Sequence, residues 1–203
     1  MSIRIGIDVG GTNTDAVLMD GLKVLSSRKT PTTSDVSSGI VASLEAVLKE
    51  SGVAPLAIRG VMIGTTHFTN AVVERKRLLE VGAIRLGLPA TKALPPMVDW
   101  PEDLGRTLGY HCYMIHGGHE FDGREISPLN EDELRAAAKD LRQKGIKAAA
   151  ITSVFSPVNS EMEMRAAEIV ADEAGDITIS LSHEIGRVGL LERENATIMN
   201  ACL

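Results

Sequence analysis

Ile3, Ile5 and Ile7 alternate with Arg4 and Gly6, and residues 16–19 turn apolar again after a polar, glycine-bearing interval at 8–14. A period of two on both sides of that interval predicts two short strands joined by a tight loop. Residues 23–29 read as a third, antiparallel strand, broken by Thr30, Pro31, Thr32 and Thr33. The period then lengthens. Ile40, Leu44, Val47 and Leu48 share one stripe of a helix that Ser34 or Asp35 can cap and that Ser51-Gly52 ends. Residues 59–66 read as a buried strand running directly into a helix at 67–77, followed by a strand at 83–88 and an irregular stretch at 89–101. Strand, helix, strand in that order predicts a right-handed parallel crossover.

The second half repeats the alternation. Asn130 is placed to cap a helix over 131–144, with Leu134, Ala137, Ala138 and Leu141 inward and Gly145 at its end. A strand at 147–155, a turn at 156–159, a helix at 160–174 and a strand at 177–182 complete a second crossover unit, spanning 128–189. Ser153, Ser156 and His183 fall at its carboxyl edge, where open α/β sheets hold ligands. Residues 190–203 form an amphipathic run, with Leu191, Ala196, Ile198 and Met199 apolar among Glu192, Arg193, Glu194 and Asn195, and read as the start of a crossing helix. Between the halves, 105–127 reads as a small β insertion. His111, Cys112, His116, His119, Glu120, Asp122 and Glu125 crowd into it, but no pair has the CxxC or HxxxH spacing of a closed zinc site, so turns joining short strands are the simpler reading.

At 203 residues the chain is long enough to bury a real core as one domain or one lobe of a larger one. Aromatic residues are only 3%, so that core must come from Ile, Val, Leu, Ala and Met, which suits a parallel sheet under helices. The net charge of −6 argues against a nucleic acid or an anionic membrane as partner. No stretch has the length of a membrane-spanning helix, and the amino terminus enters a strand without a basic, then apolar, leader. Two cysteines without CxxC spacing fit a reducing, cytoplasmic setting.

The chemistry concentrates in the first loop, read as DVGGTNTD. Gly10 and Gly11 tolerate positive φ and leave no side chain in the way, so backbone N–H groups can close around an anion. Thr12, Asn13 and Thr14 add neutral donors. Asp8 and Asp15 supply carboxylates, which sit beside a phosphate sensibly only when a divalent cation such as Mg²⁺ lies between them. A hairpin whose turn needs two glycines is the plainer alternative for a bare Gly-Gly. The pattern is neither GxGxxG nor GxxxxGK[ST], because a strand follows in place of a helix and no lysine is present. A second candidate stretch, GTTHFTNAVVERKR at 64–77, puts Thr65, Thr66, His67, Thr69 and Asn70 at the carboxyl end of a strand, with helix capping by Thr66 as the plainer alternative.

The DxGGT hairpin resembles the first phosphate motif of the actin, hexokinase and Hsp70 ATPase superfamily, which implies an α/β, RNase H-like mixed sheet with flanking helices, here an N-terminal lobe. Together with GTTHFTNAVVERK, HGGHEFDGREISPLNEDELR and GLLERENATIMNA, in that order, it is similar to the N-terminal region of the hydantoinase A/5-oxoprolinase family over 3–201. Members are ATP-dependent enzymes that hydrolyse cyclic amides, and related acetone and acetophenone carboxylases share the architecture. The resemblance implies activation of a carbonyl oxygen by phosphoryl transfer from ATP, with Asp8 positioning Mg²⁺, Gly10, Gly11, Thr12 and Asn13 cradling phosphate and Asp15 supporting the loop. Thr65, Thr66 and Asn70 fall to the substrate side, and His119 to acid–base work. Many relatives carry Phe where this chain has Asn13, which points to a different substrate or subclass.

On this reading the domain runs over 1–203, with 3–100 as the RNase H-like first half. The second phosphate loop and the adenosine segment that the superfamily needs are not visible in it, so a missing C-terminal lobe or partner subunit, in an oligomer, is expected to complete the enzyme. Two alternatives remain open. One is a sugar kinase, although the block at Glu194, Asn195, Ala196 and Thr197 lacks the Asp base of those enzymes; the other is a non-catalytic assembly half of a carboxylase-type complex.

Overall fold

The computed structural model describes residues 2–33 and 35–203, with the side chain of His67 outside the description. Ser34, one of the two cap candidates, therefore lies outside the described residues. The chain forms two compact units, Met1–Glu74 and Arg75–Leu203.

The first unit is built on the amino-terminal hairpin. Strands β1 (Ile3–Val9) and β2 (Asn13–Asp20) pair antiparallel, β3 (Lys23–Pro31) continues the meander, and β4 (Ile58–Thr65) runs parallel to β1, giving the order β3-β2-β1-β4. Helix α1 (Val36–Ser51) starts at Asp35, whose carboxylate accepts from Ser37 N at 3.2 Å, and stops at Gly52 in the left-handed conformation that favours glycine. Because strand side chains alternate, Ile5, Ile7, Val9, Ala16 and Leu18 all face α1 and bury against Val47. Each large apolar side chain withdrawn in this way stabilises the unit by roughly 1.5–3 kcal/mol. The opposite face is open. Strand β4, expected to be buried, is an edge strand, and Met62 is 57% exposed, because within this unit nothing packs beyond it. Helix α2 (His67–Glu74) is one turn shorter than the sequence suggested.

The second unit holds an all-parallel sheet in the order β6-β5-β7-β8, from β5 (Val81–Leu88), β6 (His111–His116), β7 (Ala148–Ser153) and β8 (Thr178–Leu181). Helices α4 (Glu131–Lys144) and α5 (Glu161–Ala174) cover one face, and α3 (Glu102–Leu108) and α7 (Leu190–Ala201) the other. With both faces covered, the central strands β5 and β7 read as continuous apolar runs, as parallel strands do. A short helix, α6 (Ser182–Ile185), joins β8 to α7.

Three sequence expectations change here. The strand at 81–88 does not follow β4 into the first sheet but founds the second, pairing with β6 and β7, so the expected first half over 3–100 divides. The stretch 105–127 is not a β insertion: α3 and β6 belong to the main layers of the second unit, and only His119 and Glu125 form an isolated bridge. Finally, α7 buries Arg193 and Glu194 while Ala196 is exposed, so part of the helix face expected to meet solvent is inward. The reason is that each finds buried partners: Arg85, fully buried on β5, donates through Nε to Glu194 Oε1 at 2.7 Å and through Nη2 to Glu194 Oε2, and Arg193 donates to Ser182 Oγ and Ser153 O. A charge in the middle of an apolar strand is tolerated only when another charge answers it.

Candidate functional site

The hairpin places its chemistry by register alone. Asp8 stands directly opposite Asp15, Gly64 opposite Asp8, and Lys29 opposite Asp15. Gly64, Asp8, Asp15 and Lys29 therefore form one row across the open face of the first sheet, the face turned away from α1. Beside that row runs a groove of about 660 Å³, lined by Gly6, Asp8, Asp15, Val17, Lys29 and Gly64 among others. Lys29 Nζ lies 2.9 Å from Asp15 Oδ2 and neutralises it locally, an exposed pair worth no more than about 1 kcal/mol. Asp8 has no ion-pair partner among the described residues. It is the uncompensated carboxylate of the row.

The loop itself is held by its carbonyls. Gly10 N donates to Asn13 O at 2.9 Å, Thr32 Oγ1 donates to Gly10 O at 2.8 Å and Thr32 N to Thr12 O at 2.9 Å. Thr32 Oγ1 also meets Thr14 Oγ1 at 3.1 Å. With those oxygens tied inward, Gly11 and Thr12 are exposed, and among the described residues their N–H groups take no partner in the protein. Unengaged backbone donors beside a lone carboxylate suit a phosphate bridged by a cation.

The glycines earn their place differently from the sequence expectation. Neither Gly10 nor Gly11 has positive φ. A side chain would crowd both: a Cβ on Gly10 would stand 3.1 Å from Asn13 O, and one on Gly11 2.9 Å from Asn70 Nδ2, the movable end of a side chain. That contact also shows that the second candidate stretch meets the first. Val9 O accepts from Thr65 Oγ1 and from Thr66 N, each at 3.4 Å, and Thr66 O accepts from Asn70 N at 2.9 Å in the first turn of α2. Asp8, Gly10, Gly11, Thr12, Asn13, Asp15, Thr65, Thr66 and Asn70 thus share the loop end of one unit.

His119 belongs to the second unit and is 3% exposed, with its backbone N–H donated to Val154 O at 3.1 Å and its ring Nδ1 without a partner among the described residues. An acid–base group must reach its substrate. Burial closes this ring to solvent in the chain described. The neighbouring histidines diverge to separate partners: His111 Nε2 meets Glu80 Oε2 at 2.9 Å and His116 Nδ1 meets Glu133 Oε1 at 2.9 Å. The Cys112 thiol, facing Pro96 O, is pushed up to about 11, chiefly by burial and secondarily by the Glu194 carboxylate.

Sequence reasoning missed Glu163. It is fully buried in the first turn of α5 and collects Ser153, Ser182 and His183 around its carboxylate. The available signal was Ser153 and His183 at the strand ends, but a glutamate in a helix rich in acidic residues gives no local sign of turning inward.

The sequence matches the model of the hydantoinase/oxoprolinase N-terminal region over residues 4–174. It is 31% identical to the caprolactamase subunit alpha of Pseudomonas jessenii over 98% of this chain, and 26% identical to the acetophenone carboxylase gamma subunit of Aromatoleum aromaticum, also over 98%. In each case it spans 31% of the relative's length. The structure superposes on the ATP-dependent caprolactamase of Pseudomonas jessenii with a TM-score of 0.77 at 28% identity, covering 98% of this chain and 31% of that one. A nucleotide-free acetone carboxylase gives the same TM-score at 23% identity, covering 99% of this chain and 32% of that one, a likeness of fold.

Proposed function

The chain belongs to the hydantoinase/oxoprolinase family, and from that premise we propose that its first unit forms one wall of the Mg-ATP site of an enzyme that hydrolyses a cyclic amide. The observation that carries the proposal is the unpaired Asp8 carboxylate set beside the free Gly11 and Thr12 N–H groups on an open sheet face. The donor set fits the group: oxygen from a carboxylate for a hard cation, backbone N–H for phosphate oxygens, and a glycine pair that lets both approach. When bound, Mg-ATP would supply an electrophilic phosphoryl group able to turn an amide oxygen into a leaving group.

The chain's own residues have separable tasks. Asp8 would hold the cation through its carboxylate. Gly11 and Thr12 would bind phosphate oxygens through N–H, and Thr32 keeps the loop carbonyls from competing. Asn70, against Gly11, would orient the loop from the α2 side. Lys29 keeps the Asp15 charge from repelling the phosphates.

A groove open on one side binds weakly, because affinity for a polyphosphate depends on excluding water between two walls. Polypeptide outside these 203 residues, whether a further lobe or a partner subunit in an oligomer, would supply the other wall. We expect calorimetric titration of the 203-residue chain to show no micromolar Mg-ATP affinity. In the complete enzyme, phosphate release should depend on a cyclic amide such as a lactam, hydantoin or 5-oxoproline, and Asp8→Asn should lower it on the order of 10²–10³-fold. Tight Mg-ATP binding by the chain alone, or full activity of Asp8→Asn, would overturn the proposal.

A second reading, an assembly half of a carboxylase-type complex, is favoured by the likeness to the acetophenone carboxylase subunit. Phosphate release that requires a ketone and bicarbonate, with none on cyclic amides, would select it. The sugar-kinase alternative has no Asp base in the block at 194–197, and the Glu194 carboxylate there is committed to Arg85.

A further inference from the structure

The carboxyl ends of β7 and β8 carry a constellation that the phosphate loop does not use. Glu163 accepts four hydrogen bonds: Oε1 from Ser153 N at 2.7 Å and from Ser182 Oγ at 2.5 Å, Oε2 from His183 N at 3.0 Å and from His183 Nδ1 at 2.5 Å. At full burial, four donors thus take up the lone-pair sites of that carboxylate. Arg193, on α7, answers its charge from the other side. It donates from Nε to Ser182 Oγ at 2.8 Å and from Nη2 to Ser153 O at 2.6 Å, and Nη1 is taken up by the carbonyls of Arg187, Val188 and Gly189. Ser156 Oγ closes the cluster 3.2 Å from Ser182 Oγ.

The consequence falls on the imidazole. An ionised carboxylate only accepts, so His183 Nδ1 must carry the proton, and in the neutral ring the lone pair then sits on Nε2. The side chain remains 19% exposed, and Nε2 has no partner among the described residues. Here one nitrogen is fixed by a buried anion and the other is left open at the edge of a parallel sheet, where ligands bind.

We propose that His183 is a proton-accepting catalytic residue of the second unit, aimed by Glu163 as a positioning residue, and that it acts on water adding to a carbonyl carbon. The assignment deepens the amide-hydrolysis reading and rests on it. As the oxygen of water forms its bond to the carbon of the O-phosphorylated amide, one of its O–H bonds breaks and the proton passes to Nε2, while the C=N π pair moves onto nitrogen. The imidazolium so formed is opposed by the Glu163 carboxylate. Nitrogen takes that proton from Nε2; when the C–N bond then breaks, its electron pair stays with nitrogen while an oxygen pair of the added hydroxyl forms C=O, the hydroxyl proton returns through Nε2 to nitrogen, and an acyl phosphate is left for a second water to hydrolyse.

Two measurements test this. Nitrogen-15 NMR of the 203-residue chain should show His183, when neutral, with the proton on Nδ1; the opposite tautomer would overturn the proposal without any assay of activity. In the complete enzyme, His183→Gln should lower kcat about 10²-fold or more with KM within about twofold, as loss of general base catalysis does. His183→Ala should regain activity with added imidazole, which a purely structural role would not permit. Glu163→Gln should move the pH–rate profile, and where that variant does not fold, the tautomer and imidazole rescue still decide. Full kcat in His183→Gln would overturn the assignment alone. A wild-type enzyme that binds Mg-ATP yet releases no phosphate with any cyclic amide would overturn the hydrolase reading, and the catalytic role of His183 with it, while the tautomer stayed in place.

Discussion

Replacing Glu194 by Gln should destabilise the second unit severely. Arg85 and Glu194 are 0% and 2% exposed, and the guanidinium donates to both carboxylate oxygens, with a third donor on Leu94 O. The substitution keeps the shape and removes the charge, so the guanidinium remains buried without an anion. Breaking a buried pair in this way costs about 3–5 kcal/mol. In a chain of this length each kcal/mol shifts Tm by about 2–4 °C, so a loss of roughly 6–20 °C is expected. Trp100, the only tryptophan, donates from Nε1 to Asn195 Oδ1 at 2.9 Å on the same helix, and its fluorescence therefore follows the element that the pair anchors. The companion variant is Arg85→Met with Glu194→Leu, which removes both charges and leaves similar volume. It should recover most of the loss, less about 1 kcal/mol for the Leu94 carbonyl that loses its donor. If urea or thermal unfolding followed at Trp100 gave less than about 1 kcal/mol for Glu194→Gln, or left the double variant as unstable as the single one, the buried pair would not be the anchor of α7.

The other predictions concern the loop and the titrating groups. Gly11→Ala should displace the Asn70 amide it would meet at 2.9 Å, at a cost on the order of 1 kcal/mol, and adding Asn70→Ala should restore stability by opening that space; no restoration in a denaturation series would refute the contact. Cys202 is buried and its thiol is held above its ordinary value by burial, while Cys112 is half-buried and pushed up to about 11, so both should react slowly with a thiol reagent at pH 8 until the chain is unfolded. Because Cys112 and Tyr113 ionise at higher pH in the fold than in the open chain, both from burial first, the stability they confer is complete below about pH 9 and fades as pH rises towards 11; a stability flat across that window would refute their burial. At the acid end, Glu131 is held below the usual range by Arg165 and then Arg135, and Asp140 by Lys144, so their contribution is complete above about pH 4.5 and is lost as pH falls further, which a urea series at stepped pH would detect.

The sequence by itself determined the local elements and the place of the first site. Strand alternation at Ile3, Ile5 and Ile7, caps at Asp35 and Asn130 and stops at Gly52 and Gly145 are all decided within a few residues, by side-chain periodicity and backbone hydrogen bonding. The same short range fixed Asp8 opposite Asp15, since a three-residue loop leaves the hairpin one register. Tertiary structure alone decided which sheet the strand at 81–88 joins, which face of α7 turns inward and where Glu163 points. Each of those outcomes is a partnership across distance. Arg85 finds Glu194 across 109 positions, and Glu163 finds His183 across 20. A charge reads as solvent-exposed in any local window, and only the assembled core, where leaving it unanswered would cost several kcal/mol, reveals that its partner was waiting on another element.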